Sequence, residues 1–181
     1  MVYIFFGHGF EEIEAVTTLD ILRRADVTVH SVGIGSKTVT GAHGLTVHCD
    51  MLDKQAQSAK GLEMIVLPGG MPGRTSLENS PVVTAYIDHV IKNDLWLGAI
   101  CAAPSILRHK NLLNGKKATC YPGFETQLGE GAIYTGAAVE VDGKIVTAKG
   151  AGVSVPFALK LVECLRDKKT ADKIGESIHY P

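Results

Sequence analysis

Near the middle of the chain, residues 95–105 read LWLGAICAAPS, an apolar run that ends in a cysteine and continues in small residues. This pattern is typical of a buried strand that turns sharply into a helix and leaves Cys101 at the corner. Such a turn needs small residues two positions either side of the nucleophile, and Ala99 and Ala103 fill those positions. The sequence therefore predicts a nucleophile elbow at the carboxyl end of a strand.

The position of Cys101 predicts a reactive thiol. A sulfur at a helix N-terminus lies close to partial positive charge, which favours the thiolate over the thiol, so we expect a lowered thiol pKa. The alternative is a buried structural cysteine, which is a common fate of a free thiol. The elbow pattern favours the reactive interpretation.

The composition is that of a globular protein and argues against several classes of function. The chain has 181 residues, 45% of them hydrophobic, which is enough for one domain with a sizeable core. The net charge of −1 predicts no dedicated nucleic-acid or membrane surface. Apolar runs are too short for a membrane span or a secretory leader, so we expect a cytoplasmic protein. Its scattered cysteines are expected to be free thiols.

Short β-rich runs alternate with helical patterns, which predicts an α/β sandwich with a mainly parallel sheet. The sequence Asp142-Gly143 predicts a hairpin between residues 139–141 and 144–147. Without a repeat or a long linker, residues 1–181 are expected to form a single domain. The other predicted strands are 2–6, 26–32, 45–49 and 64–67, and the predicted helices are 11–25, 81–93 and 156–165.

A glycine loop, Pro68-Gly69-Gly70, follows the predicted strand 64–67. Adjacent glycines allow backbone N–H groups to converge into an anion nest, and active sites of parallel sheets lie beyond the carboxyl ends of the strands. One of these N–H groups could then hold the oxyanion that forms when the thiolate attacks a carbonyl. A plain glycine turn is an equal alternative.

A second glycine segment, Gly7-His8-Gly9, resembles the start of a dinucleotide fingerprint. The carboxylates of Glu11, Glu12 and Glu14 crowd the place of a pyrophosphate, which argues against NAD or FAD. One of the three is expected to point at Cys101, where desolvation would raise its pKa and let it carry a proton. Solvated residues that compensate the helix dipole are the alternative. Spacing alone does not choose among the three.

Histidines and metal ligands are sparse around the predicted elbow. None of the seven histidines follows Cys101 in a loop suited to a Cys–His pair, and His109 is expected on the surface. His43, His48 and Cys49 are candidate ligands, but adjacent residues of a strand point to opposite faces. We therefore expect neither a metal nor a cofactor.

Five segments together resemble the DJ-1/ThiJ/PfpI superfamily, and within it the DJ-1 and bacterial DJ-1-like branch. They occur in the family's order across nearly the whole chain, which makes the resemblance specific. They are GFEEIE at 9–14, DILRRA at 20–25, VLPGG at 66–70, AICAAP at 99–104 and GAG at 150–152.

The resemblance implies a flavodoxin-like three-layer sandwich that forms a homodimer. The family's reactive cysteine corresponds to Cys101, and the glutamate that hydrogen-bonds its sulfur corresponds to Glu14. The family's two backbone N–H donors correspond to Gly70 and Ala102.

Three further positions match the surroundings of the family's site. Glu11 and Arg24 match positions near the site and the dimer interface. The family's His-Pro pair near the cysteine is replaced here by Tyr121-Pro122. Because a neutral phenol with a pKa of about 10 is a poor base at neutral pH, this departure weakens the case for a Cys–His peptidase. Without that histidine, Glu14 would carry out the proton transfer. Tyr121 would donate a hydrogen bond to a bound oxyanion.

The activity that the resemblance implies is cysteine-dependent and cofactor-free. It is directed at small reactive carbonyls such as methylglyoxal, as in a glyoxalase, or at glycated groups, as in a deglycase. The alternative is an oxidative-stress sensor or redox chaperone with little turnover, since an accessible thiolate oxidises to sulfenic and then sulfinic acid. A peptidase or amidotransferase-like hydrolase, or a role in thiamine biosynthesis, is less favoured.

Overall fold

The structure is a computed structural model that describes residues 1–56 and 59–181. The α-helices are Glu12–Arg24 (α1), Gly73–Glu78 (α2), Pro81–Lys92 (α3), Ser154–Leu165 (α4) and Lys168–Ser177 (α5). The strands are Val2–Phe6 (β1), Val29–Gly33 (β2), Thr38–Thr40 (β3), Thr46–His48 (β4), Met51–Leu52 (β5), Met64–Leu67 (β6), Trp96–Ile100 (β7), Lys117–Ala118 (β8), Ile133–Tyr134 (β9), Val139–Asp142 (β10) and Ile145–Ala148 (β11). Short 3₁₀ helices cover Asp53–Gln55, Ala103–Lys110, Glu125–Gln127 and Ala151–Val153.

The central sheet has seven strands in the order β10-β11-β7-β6-β1-β2-β5. Every neighbouring pair is parallel except β10 with β11. The inner order β2-β1-β6-β7-β11 is that of a flavodoxin-like doubly wound sheet. Helices cover both faces, so the predicted α/β three-layer sandwich with a mainly parallel sheet is confirmed.

The alternation along β1 shows how the sheet divides the core. Val2, Ile4 and Phe6 pack into a cluster with apolar residues of α1, α4 and α5. Tyr3 and Phe5 point to the other face and pack with residues of α2, α3 and the 3₁₀ helix after β7. All five are buried, as expected for a strand covered on both faces, which is why β1 reads as an unbroken apolar run.

Several predicted elements differ from the structure at their ends or in their place. The strand predicted from residue 26 begins at Val29, because Asp26 has a φ of 52° and still donates its N–H to a carbonyl at the end of α1. The strand predicted at 45–49 is β4, which pairs with β3 in a separate small sheet. The helix predicted after Cys101 is a 3₁₀ helix rather than an α-helix.

The predicted hairpin is confirmed, with β10 and β11 antiparallel and Gly143 at a φ of 60° in the turn. Its second strand, β11, extends the parallel part of the sheet beside β7. The carboxyl ends of β1, β6, β7 and β11 thus lie side by side at one edge of the sheet. Within the described ranges, no helix is long and apolar enough to cross a membrane.

Candidate active site

Cys101 lies at the corner that the sequence predicted, directly after β7. Its φ of 65° is in the left-handed region, which costs a residue with a side chain about 1 kcal/mol or more. The corner is held on both sides, since the Cys101 N–H donates to the Ala148 carbonyl at 2.9 Å and the Cys101 carbonyl accepts from Tyr121 N–H at 2.8 Å. Ala99 and Ala103 are fully buried. The predicted nucleophile elbow is confirmed as a strained turn between small residues.

Two backbone N–H groups face the sulfur. The N–H groups of Gly70 and Ala102 donate hydrogen bonds to Cys101 Sγ, and each contact favours the thiolate. Gly70 has a φ of 91°, a conformation that only glycine adopts at little cost. The glycine loop after β6 therefore brings one N–H, that of Gly70, to the thiol, whereas the neighbouring Gly69 N–H is taken by Glu14.

Gly69 lies against both the sulfur and the carboxyl group of Glu14. A methyl group at Gly69 would come within 2.7 Å of Cys101 Cβ and 2.8 Å of Glu14 Oε2. Contacts this short with side chains that are themselves fixed leave no room for any residue but glycine.

Glu14 is the carboxylate that meets Cys101. Its side chain is fully buried, and Oε2 accepts the Gly69 N–H at 2.8 Å. The other oxygen, Oε1, has no hydrogen-bond partner among the described residues. Glu12 points elsewhere and accepts the backbone N–H groups of His43 and Leu45. Spacing left three carboxylates open, and the structure places that of Glu14 beside Cys101. Glu14 is also the residue that the family resemblance implied.

The pKa values of Cys101 and Glu14 are linked. Burial raises the pKa of Glu14 to about 7. Burial, followed by the charge and hydrogen bonding of Glu14, raises the pKa of the Cys101 thiol to about 12, against the lowering effect of its two N–H partners. The expectation of a lowered thiol pKa is therefore wrong for a thiol beside ionised Glu14. The short 3₁₀ helix contributes little dipole, and the carboxylate competes with the sulfur for the single negative charge.

The pair is best described as one unit that loses its first proton near neutral pH. When that occurs, one proton remains for the carboxyl and the sulfur together. With the proton on Glu14, the charge lies on a sulfur that the N–H groups of Gly70 and Ala102 stabilise. The Oε1 atom, without a partner among the described residues, suits this form, because burying a neutral carboxyl without a partner costs less than burying a carboxylate.

A stability measurement tests the raised pKa of Glu14. The folded state keeps this proton up to about pH 7, whereas a carboxyl in the unfolded chain releases it near 4.5. Because the folded state binds more protons between these values, the free energy of unfolding should fall by about 3 kcal/mol as pH rises through this window. Urea unfolding at pH 4.5 and pH 7 should show this slope in the wild type and a flatter profile in Glu14→Gln. Identical profiles for the two proteins would contradict it.

Other predicted site residues lie at the rim or away from the thiol. The backbone N–H of Glu11 donates to the Gly69 carbonyl at 3.0 Å, which places Glu11 beside the glycine loop. The ring of Tyr121 is half exposed and lies next to Gly150, across from the sulfur. Arg24 lies ten residues beyond Glu14 on α1, about 15 Å along the helix, and pairs with Asp20. Within one chain, Arg24 is therefore not part of the site around Cys101.

His109 and His43 pair with carboxylates rather than with the thiol. His109 lies on the 3₁₀ helix after Cys101, half exposed, and contacts Glu78. The side chains of Glu11, Glu12 and His43 bring three possible metal-ligand atoms within 4.8 Å of one another at the rim. Glu12 already accepts hydrogen bonds there, including one of 3.0 Å with His43 Nδ1, so this group is accounted for as an ion-pair cluster.

The loop after β11 contributes a contact that sequence reasoning missed. A methyl group at Gly150 would lie 3.9 Å from Cys101 Sγ and 3.3 Å from the Tyr121 ring. Gly150 served only as a marker of family resemblance in the sequence. The signal for its role is its position, since it follows the strand that pairs with β7.

Comparisons with known proteins agree with this architecture. The DJ-1/PfpI family model matches residues 1–164. Protein DJ-1 homolog B of Arabidopsis thaliana is 39% identical over 177 residues, covering 96% of this chain and 40% of that protein. Glutathione-independent glyoxalase DJR-1.2 of Caenorhabditis elegans is 30% identical over 165 residues, covering 91% of this chain and 87% of that protein.

A solved structure extends the likeness to the fold. The structure of oxidized Toxoplasma gondii DJ-1 superposes with a TM-score of 0.92 at 34% identity, covering 99% of this chain and 97% of that one. The chain spans less than half the length of the two Arabidopsis relatives it matches. With a family match over most of its length and a matching fold, the chain belongs to the DJ-1/PfpI family.

Proposed function

We propose that the protein is a cofactor-free enzyme that uses Cys101 to convert small reactive carbonyls such as methylglyoxal, or its adducts. The observation that carries the proposal is the pairing of Cys101 with the buried Glu14 beneath the N–H groups of Gly70 and Ala102. The Caenorhabditis elegans relative, named a glutathione-independent glyoxalase, supports it.

The first step is addition to the aldehyde. The thiolate sulfur of Cys101 bonds to the aldehyde carbon, and the carbonyl electron pair moves to oxygen. The N–H groups of Gly70 and Ala102 stabilise that oxyanion, and protonated Glu14 donates its proton to give a hemithioacetal.

The next steps move a hydrogen between the two carbons. Ionised Glu14 removes the proton from the former aldehyde carbon and returns it to the neighbouring carbon of the resulting enediolate. The hydroxyl proton on the former aldehyde oxygen passes to the other oxygen, which leaves a lactoyl thioester on Cys101. Water then cleaves the thioester to lactate and regenerates the thiol, so one methylglyoxal and one water give one lactate. A pKa of about 7 suits Glu14 to both roles, since it accepts and donates a proton at neutral pH.

Lactate formation without glutathione tests the proposal. Purified protein incubated with methylglyoxal alone should yield lactate, measured by proton NMR, in catalytic excess over the protein. Lactate that does not exceed the protein-free reaction would contradict the proposal. Added glutathione should be unnecessary, because the chain supplies its own thiol.

A redox role is the second candidate, and a specific observation favours it. Cys101 is partly exposed, and the similar Toxoplasma gondii structure is described as oxidized. The thiolate would pass through sulfenic to sulfinic acid, with Glu14 as hydrogen-bond partner of the new oxygens. Intact-mass analysis after mild peroxide should show two oxygens added at Cys101 and none at Cys49 or Cys120, which are buried. Unselective oxidation would count against this role.

We further propose that the protein forms a homodimer through α1. Ile13 and Val16 on this helix are 55% and 38% exposed, and residues three apart lie on the same face of a helix. Sedimentation equilibrium should then give about twice the mass of 19.3 kDa for one chain. A monomer mass at micromolar concentration would contradict the proposal.

A further inference from the structure

The two N–H groups that face Cys101 come from different loops. Gly70 belongs to the loop after β6, and Ala102 follows the elbow after β7. The pairing of these strands ends at Leu67 and Ala99, so the sheet itself does not extend to the donors. The distance between two oxyanion donors decides how well they stabilise a developing charge. Contacts outside the sheet therefore fix one loop against the other, and the packing of Gly69 against Cys101 is one of them.

Arg74 on α2 joins the two loops through its backbone and its side chain. Its backbone N–H donates to the Gly70 carbonyl at 2.8 Å. Its Nε donates to Ser105 Oγ at 3.0 Å, and that hydroxyl donates to the Ala102 carbonyl at 2.6 Å. An unbroken chain of hydrogen bonds thus runs from Gly70 through Arg74 and Ser105 to Ala102.

The guanidinium is held in a fixed orientation. Arg74 is only 8% exposed, and its two terminal nitrogens donate to both carboxylate oxygens of Glu78, one at 2.9 Å from Nη2. His109 contacts the same carboxylate from the 3₁₀ helix. A bidentate contact between guanidinium and carboxylate fixes the plane of the fork. With the plane of the fork fixed, its Nε–H is directed at Ser105, which is completely buried.

We propose that Arg74 is a positioning residue that sets the spacing of the Gly70 and Ala102 N–H groups around the sulfur and the oxyanion. It acts through its hydrogen bond to Ser105, because its charge is already paired with Glu78. The effect on turnover rests on the proposed function, whereas the effect on the thiolate does not.

The experiment combines the pH dependence of Cys101 alkylation by iodoacetamide with the kinetics of lactate formation. Arg74→Met and Ser105→Ala should each slow Cys101 alkylation at a fixed pH near neutrality about tenfold, which corresponds to a rise of about one pH unit in the alkylation midpoint, as expected for a weakened hydrogen bond to a charged sulfur. Each should lower kcat about tenfold with little change in KM, because the donors are displaced rather than removed. The double variant should be no worse than the poorer single variant, since both changes break one chain.

Arg166→Met is the matched control. Arg166 pairs with Glu63 just before β6, at the amino edge of the sheet and away from the thiol. This variant should leave both the alkylation midpoint and kcat unchanged.

Two outcomes overturn the proposal. One is an alkylation profile of Arg74→Met that coincides with the wild type while its melting temperature falls, because that describes a purely structural residue. The other is a double variant in which the losses of kcat seen in the two single variants multiply. If Arg74→Met does not fold, Ser105→Ala decides by the same midpoint. A wild type that makes no lactate defeats the proposed function, but the alkylation profiles still decide the role of Arg74.

Discussion

Cys101→Ser should lower kcat/KM for methylglyoxal by about 10³-fold or more. A serine hydroxyl fits the same strained corner at a φ of 65°, but it does not ionise at neutral pH and is a far weaker nucleophile. The shape of the elbow is retained, so the loss would report the chemistry of the sulfur. Initial rates of lactate formation give the ratio.

Cys164→Ser is the matched control for this experiment. Cys164 is a free, partly buried cysteine on α4, and burial raises its pKa to about 11. The same chemical change there should leave kcat/KM within twofold of the wild type, and circular dichroism should show both variants folded. A Cys101→Ser protein with the wild-type rate would place the reaction elsewhere in the molecule.

Glu14→Gln should lower kcat by about 10² to 10³-fold while making Cys101 easier to alkylate at neutral pH. Glutamine has nearly the same shape and keeps an oxygen for the Gly69 N–H, but it cannot carry a proton. Removing the carboxylate also removes the charge that raises the pKa of Cys101, so the thiolate forms at lower pH. A slower enzyme with a more reactive thiol would distinguish proton transfer from nucleophile activation.

Glu14→Leu separates the structural part of this role. Leucine leaves the buried Gly69 N–H without its acceptor, which costs about 1–3 kcal/mol of stability at pH 4.5, where Glu14 of the folded wild type is protonated. It also removes the hydrogen bond available to a sulfinate. Glu12→Gln is the matched control for Glu14→Gln. Because Glu12 faces the loop at His43, this control variant should keep the wild-type kcat. A Glu14→Gln protein with undiminished kcat would show that another group moves the proton.

The central part of the fold could be predicted because its signals are local. β1, β6 and β7 are apolar runs of four or five residues, which is what burial on both faces produces. The elbow was predictable because a sharp turn needs small residues at fixed offsets. In contrast, β5, β8 and β9 have two residues each, too few for any periodicity to show.

The chemistry of the site was less accessible to sequence reasoning. The sign of the thiol pKa shift depends on Glu14, which is 87 positions away in the chain, and a helix-end argument for Cys101 contains no such neighbour. The choice of Glu14 over Glu11 and Glu12 came from family resemblance, since all three precede or open the same helix. The contact between Arg74 and Ser105 has no sequence signal, because both residues are ordinary at their positions.

The tight contact at Gly69 also limits how the surroundings of Cys101 can be redesigned. On that side the protein is already at van der Waals limits, so a library that varies position 69 would return glycine alone. Tyr121 lies beside Gly150 near the sulfur with its ring half exposed, and Phe124 meets that ring edge to face. Substitutions that open space beside the sulfur are therefore expected at Tyr121 rather than at Gly69.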